Sequence, residues 1–454
     1  MNKRKHFFSK KFVCIIIALL LYSGAKAQEK LSFNLEKALE IAQSENPTIK
    51  VANKEIEKKK YAKKEVIAGL FPNINVGGGF TYTIKKQTFA IMGQTLKVGQ
   101  TNNYNAGINL SLPLFAPTLM KSIDLSAKDV ELAVESARSS NLNLVNEVTK
   151  AYYQLLLAQD SYEVLKKGYA QSEANYEVVN NKFKQGVVSE YDKIRAEVQV
   201  RNLKPSMISA ENAVNLTKLQ LKVLMGLDTN QEIEIVGNLS DYENNMYAEA
   251  LDVDTAMVQN NTQLKQMKLQ AEMLDKQLKL NKSAYLPSVS LTSQFSYVSM
   301  ANNFKFGDYQ WNPYSTVGFT FSIPIYNGGG RSYKVKQTKL QMEQLTLNTQ
   351  NLRRNIDLQV KNYMDNIQKS IEQVGSNKES VKQAEKGCVI AKKRYEVGKG
   401  TVLELNDSEL ALTQSKLAYT QAIFDYLSAK ADLELVLGKD KVVNTTQKNE
   451  ELNK

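Results

Sequence analysis

Histidine and cysteine are nearly missing from this 454-residue chain, which has one His and two Cys. His6 and Cys14 both fall within residues 1–27, which read as an export signal. Lys3, Arg4, Lys5, Lys10 and Lys11 form its basic head, Phe12 to Tyr22 its apolar stretch, and Ala25-Lys26-Ala27 an A-x-A cleavage site. Cleavage between Ala27 and Gln28 leaves no imidazole and one thiol, Cys388. That excludes an intramolecular disulfide, a His- or Cys-based metal site and a His-assisted nucleophile. No acid–base pair in a pocket-like context takes their place, so neither enzymatic activity, nor a cofactor, nor a metal is expected. The signal also removes six basic residues and no acidic ones, so the formal charge drops from +12 to +6. No Lys/Arg cluster is interleaved with aromatics, which argues against nucleic acid as a partner.

Long apolar runs are missing too. The signal stretch is about 11 residues, against the roughly 20 that span a bilayer as a helix. Beyond it, no apolar run reaches 18 residues. Such an exported chain can cross a membrane only as a β-barrel. Four segments read as its strands: 73–84, 104–114, 289–300 and 316–325. Each alternates apolar and small polar residues, as in Ile74, Val76, Phe80, Tyr82 and Ile84, or Val317, Phe319, Phe321, Ile323 and Ile325. Charge is missing from all four, whereas the wet face of a soluble sheet usually carries Lys, Glu or Arg. Phe80, Tyr82, Phe295, Tyr297, Trp311 and Tyr314 cluster towards segment ends, like an interfacial girdle. Four strands cannot close a barrel, so other copies of the chain must complete it.

What is present is a duplication. A shift of 212 lays Phe183-Lys184-Gln185-Gly186 on Tyr395-Glu396-Val397-Gly398, Ser189 on Thr401 and Asp192 on Glu404. A shift of 215 lays Phe71-Pro72-Asn73 on Leu286-Pro287-Ser288, and one of 211 lays Leu112-Pro113-Leu114-Phe115 on Ile323-Pro324-Ile325-Tyr326. One fold unit is therefore used twice: 28–228 and 251–438, joined by an equatorial linker at 229–250 and followed by a polar, disordered tail at 439–454. Each copy carries a long helix with a 3.5-residue apolar period, through Leu144, Val148, Leu155 and Val179 or Ile356, Val360, Ile367 and Val374. No proline interrupts 118–204. At 1.5 Å per residue, 121–183 spans ~95 Å, while the returning helix 189–226 spans ~57 Å and the helix 48–70 before the strands ~35 Å. Two short helices end to end match one long one, which describes the wall of a tall cylinder. At the turns, Ser189-x-x-Asp192 and Thr401-x-x-Glu404 have capping-box spacing.

From Ala38-Leu39 and Asn46-Pro47, through the proline-marked strand ends, to Met225-Gly226 and Leu437-Gly438, the chain resembles the TolC-like outer-membrane efflux protein family. The segment Tyr395-Glu396-Val397-Gly398-x-x-Thr401-x-x-Glu404-Leu405 is the most specific part of the match. The resemblance implies a mostly α fold with a β membrane part: a homotrimer with a 12-stranded barrel in the outer membrane joined to a 12-helix periplasmic tunnel. It implies an exit duct for a tripartite pump or type I secretion system, served by a periplasmic adapter (membrane-fusion) protein and an inner-membrane pump. Carried over by position, the pore gate is Asp192, Tyr395, Glu404 and Asp407. The basic partner that family gates often hold just before the Thr position is replaced here by Gly400, beside Lys399. The tips Gly186, Val187, Val188, Ser189 and Gly398, Lys399, Gly400, Thr401 are expected to dock the adapter. The competing reading is a soluble periplasmic coiled-coil adapter or scaffold, against which the uncharged strands argue. Drugs, metal ions and polypeptides are alternative cargoes.

Overall fold

The computed structural model describes residues 31–91, 93–244, 246 and 255–440. The Ala27/Gln28 cleavage site and residues 441–454 of the expected tail lie outside them. In chain order the elements are β1 (Leu31–Phe33), α1 (Leu35–Glu45), α2 (Pro47–Ala68), β2 (Asn73–Tyr82), β3 (Gln87–Ile91), β4 (Gln94–Val98) and β5 (Asn102–Phe115). There follow α3 (Pro117–Lys184), α4 (Glu190–Met225), β6 (Ile233–Ile235), α5 (Thr262–Ser283), β7 (Ser288–Ala301), β8 (Asn312–Ser322), α6 (Gly330–Glu396) and α7 (Val402–Val436). Among the described residues no helix is long and apolar enough to cross a membrane. The chain separates into two compact units, Val51–Ser139 with Thr262–Asn355, and Met1–Lys50 with Ser140–Asn261 and Ile356–Lys454. Each unit draws on both sequence copies, because α3 and α6 supply residues to both.

The first of these units holds a four-stranded antiparallel sheet in the order β2-β5-β7-β8. Its register explains the alternation. Phe80 lies opposite Tyr104, Val76 opposite Ile108, Ile108 opposite Phe295, and Leu291 opposite both Leu112 and Phe319. The apolar positions of all four strands therefore share one face. Asn75, Asn109, Gln294 and Thr316 line up on the other, which is polar apart from Pro113, Val298, Met300 and Tyr314 near the strand ends. None of the four strands contains a charged residue. The apolar face is bare in the single chain, with Val76 81% and Val317 74% exposed. Both edge strands, β2 and β8, lack a second strand partner among the described residues. Lys59–Asp129, Lys128–Glu272 and the buried Asn281–Thr338 hydrogen bond tie α2, α3, α5 and α6 together beside the sheet.

Strand ends differ from expectation by two residues or more in β2, β5 and β8. β8 covers Asn312–Ser322 rather than 316–325. Pro324 has no N–H to give a ladder, its carbonyl accepts from Arg331 Nη1 at 2.8 Å, and the chain then enters the Asn327–Gly330 turn. In the first copy, β5 runs through Pro113 by a register shift between Pro113 and Phe115. β2 stops at Tyr82 rather than 84, with Thr83 N–H to Thr101 O (2.7 Å) as its last rung. β3 and β4 pair as a separate antiparallel ribbon, which the alternation did not reveal.

In the second unit the 3.5-residue stripe is the buried face of the long helices. Leu144, Val148, Leu155, Ala158 and Val179 of α3 are buried, as are Ile356, Val360, Ile367, Val374 and Tyr395 of α6. The ends of α4 and α7 are finished by a duplicated joint. Asn46 Nδ2 donates to Leu224 O at 2.7 Å, and Asn261 Nδ2 to Val436 O at 2.8 Å. These side chains satisfy carbonyls that a helix end leaves without intrahelical partners. Gly226 (φ +72°) and Gly438 (φ +65°) follow in the left-handed region. A Cβ on Gly226 would lie 2.8 Å from Glu45 O, and one on Gly438 would collide with Asn260 O.

The described part of the linker packs on the same unit. β6 pairs in parallel with β1, and Tyr152 and Tyr426 donate to the carbonyls of Val236 (3.1 Å) and Met246 (3.3 Å). Glu243 is buried between Lys378 Nζ (2.9 Å) and Tyr419 Oη (2.7 Å). Burial alone would raise its pKa, but these two donors outweigh it and hold the carboxyl below its ordinary value.

Candidate functional site

Each long helical hairpin turns through the same backbone device. Gly186 N–H donates to Phe183 O (2.9 Å) and Val187 N–H to Lys182 O (2.9 Å). In the other copy Gly398 N–H donates to Tyr395 O (3.2 Å) and Lys399 N–H to Arg394 O (2.8 Å). This pair of bonds is a Schellman ending, which places a glycine at positive φ; Gly186 is at +73° and Gly398 at +75°. A Cβ on either would meet nothing within 4 Å. The turns are free surface, with Val187 67% and Val397 68% exposed.

The next helices start with hydroxyl caps, and here the copies part. Asp192 N–H donates to Ser189 Oγ (3.2 Å) and Ser189 N–H to Asp192 Oδ2 (3.3 Å), a complete capping box. Glu404 N–H donates to Thr401 Oγ1 (3.1 Å), but the Glu404 carboxylate makes no return bond. It lies 3.8 Å from Arg394 Nη2, which also donates to Lys399 O at 3.2 Å. Sequence spacing had given both acids the same box. The base beside Glu404 is Arg394, on the end of α6, rather than Lys399 or a residue at position 400.

Tyr395 sits inside the tip. It packs with Val179, Ala196, Val402 and Leu405 from three other helices, and Lys182 Nζ covers its ring at 4.2 Å. Its hydroxyl is buried without a hydrogen-bond partner. Burial, and after it the charge of Asp192, push its pKa up. Asp192 is half-buried, while Glu404 and Asp407 are exposed. Of the four expected gate residues, three thus present carboxylates at the surface and one is core.

A further carboxylate was missed. Glu409 is 8% exposed; Asn175 Nδ2 donates to its Oε1, and its Oε2 is buried without a partner. Burial raises its pKa. It borders a cavity of about 700 Å³ with Asp160, Gln171, Cys388, Lys392 and Thr413. The signal for it was legible: Val402, Leu405, Glu409 and Leu412 fall on one helix face, so an acid interrupts an apolar stripe. Among the described residues no group of three or more His, Cys, Asp or Glu side chains is placed to hold a metal ion.

A family model described as Outer membrane efflux protein matches residues 38–227 and 255–439. The Outer membrane protein TolC of Escherichia coli (strain K12) is 23% identical over 443 residues, covering 94% of this chain and 86% of that one. The fold is similar to the Campylobacter jejuni CmeC outer membrane channel, with TM-score 0.72, 17% identity and coverage of 95% and 94%. It is also similar to the open state of the Neisseria gonorrhoeae MtrE outer membrane channel, with TM-score 0.72, 16% identity and coverage of 89% and 88%.

Proposed function

Because the chain belongs to the outer membrane efflux protein family, we propose that it works as a trimer whose twelve strands close one barrel and whose helices continue it as a periplasmic tunnel. Membership makes it an outer-membrane exit duct of an efflux system, a passive channel and not an enzyme. The sheet is the observation that carries the trimer. It is uncharged, apolar over one face, antiparallel throughout and open at β2 and β8. In hydrocarbon each unpaired backbone group costs several kcal/mol. Joining β8 of one copy to β2 of the next removes both edges and keeps the strands alternating round the ring. Two copies would fill the interior with side chains; three leave a lumen.

In this reading 28–228 and 251–438 are the two fold units and 229–250 their linker. The turns at Gly186–Ser189 and Gly398–Thr401 dock a periplasmic adapter, which connects the duct to an inner-membrane pump. Exposed Val187, Tyr191, Val397 and Leu403 give that contact an apolar component. Asp192, Glu404 and Asp407 form an acidic rim at the mouth, and Tyr395 holds the α6–α7 turn from beneath. Like charges brought together repel, so the rim favours cations and its closure is poised. Planar-bilayer recordings of a Glu404→Ala/Asp407→Ala double variant test the rim. Conductance should change and cation preference weaken while trimers persist; wild-type conductance and selectivity would remove the rim from the gate.

A further inference from the structure

The segment after β7 doubles back onto one face of the sheet. Tyr104 has Phe80 stacked at 4.7 Å, with Tyr309 at 5.2 Å, Phe306 at 5.5 Å and Trp311 at 6.5 Å. Phe304 lies 6.4 Å from Phe80 and 6.3 Å from Tyr82. Phe80, Tyr82 and Tyr104 belong to the apolar face by register. The four aromatics of 304–311 therefore pack on one end of the apolar face. This is the end of the sheet remote from the helix connections, since β2 and β7 end there and β5 and β8 begin there.

The segment is held by specific bonds. Asn302 Oδ1 accepts from Thr101 N–H (3.1 Å) and Lys86 Nζ (2.7 Å); Asn303 O accepts from Asn102 Nδ2 (2.7 Å) and Tyr309 Oη (2.6 Å). Despite that anchoring, Phe304 and Phe306 stay 62% and 64% exposed in the single chain. Aromatic surface fixed in place and left bare marks a site for a partner. Charge identifies which. Residues 83–101 and 302–311 contain Lys85, Lys86, Lys97 and Lys305 against a single acid, Asp308.

We propose that this corner seats the phosphate-bearing headgroups of outer-leaflet lipid. Phe304, Phe306 and Trp311 enter the boundary between headgroup and acyl chain, and Lys85, Lys86 and Lys305 meet the phosphates. The aromatic rings supply an amphipathic body suited to that depth, and each lysine near an anionic surface adds ~1 kcal/mol. The assignment rests on the sheet being part of a membrane barrel.

Trp311 is the chain's only tryptophan, so its fluorescence reports this corner alone. The mature protein is reconstituted in vesicles in which either phosphatidylcholine or phosphatidic acid carries brominated chains, and quenching of Trp311 is compared. Brominated phosphatidic acid should quench in clear preference, by roughly fivefold in relative affinity per lysine engaged. The Lys85→Gln/Lys86→Gln/Lys305→Gln variant should lose the preference while brominated phosphatidylcholine still quenches. Equal quenching by both lipids in the wild type, or a preference that survives in the triple variant, would overturn the assignment. So would trimers in which aqueous acrylamide quenches Trp311 and neither lipid does. If the reconstituted particle is not a trimer, the underlying barrel reading has failed instead, and particle mass separates the two.

Discussion

The two helix joints and the two hairpin tips are products of the same duplication, yet the copies agree at the joints and differ at the tips. At the joints Asn46 and Asn261 bond the last carbonyls of α4 and α7 at 2.7 and 2.8 Å, and each following glycine is pressed against backbone. Nothing can vary there without orphaning a carbonyl or moving a helix. At the tips the glycines have the same positive φ but open space around them, and the acids have diverged: Asp192 completes a cap, Glu404 turns to Arg394. Phe183, the counterpart of Tyr395, is only half-buried, whereas Tyr395 is core. Duplicated geometry persists where packing leaves no alternative and drifts where the surface is free.

The largest difference between joints and tips lies in their glycines. Gly226→Ala and Gly438→Ala combine positive φ, about 1 kcal/mol, with overpacking of typically ~1–3 kcal/mol. Gly186→Ala and Gly398→Ala carry the first cost alone. Thermal unfolding should therefore show joint variants losing several times more stability than tip variants, with Gly438→Ala the worst. Equal losses at joints and tips would contradict the packing argument.

Buried acids give a second contrast, now in sign. The Glu409 carboxyl titrates above its ordinary value, so its favourable contribution is complete below the unfolded pKa and is lost as pH rises through the folded one. Glu243, held down by Lys378 and Tyr419, contributes above the unfolded pKa and loses that as pH falls. Glu409→Gln should thus stabilise more at neutral than at mildly acid pH. Glu243→Gln should destabilise more at neutral pH. Unfolding midpoints followed across the carboxylate range check both; parallel curves for the two variants would refute the contrast.

The smallest effect lies at the caps themselves. Asp192→Ala removes half of a capping box and should cost about 0.5–1 kcal/mol. Glu404→Ala removes only an exposed pair with Arg394, for which roughly 0–1 kcal/mol is usual. Chemical denaturation of the two variants should rank them in that order, and the reverse order would mean that Glu404, and not Asp192, closes a box in solution.

Much of the fold was legible because it rests on periodicity. The apolar alternation of Asn73–Tyr82 and Asn102–Phe115 and the heptad stripe from Leu144 to Val179 each encode a buried or bare face directly. The tip chemistry was legible only in part. Ser189 and Thr401 were readable as caps, but Arg394 meets Glu404 across a turn, and Glu409 meets Asn175 across 234 positions of chain. Such contacts depend on how helices lie side by side, which no local spacing records. The end of β8 at Ser322 was misplaced because Ile323 and Ile325 continue the alternation although Pro324 cannot continue the ladder. The 302–311 segment has no period at all, and its place on the apolar face follows from contacts with Tyr104 and Phe80.

The trimer follows from the open edges of β2 and β8. Native mass spectrometry of the mature protein extracted from outer membranes tests them most directly, because detergent can shield an apolar face but cannot pair a strand edge. The predicted result is a particle of three chains. A stable monomer or dimer would contradict it.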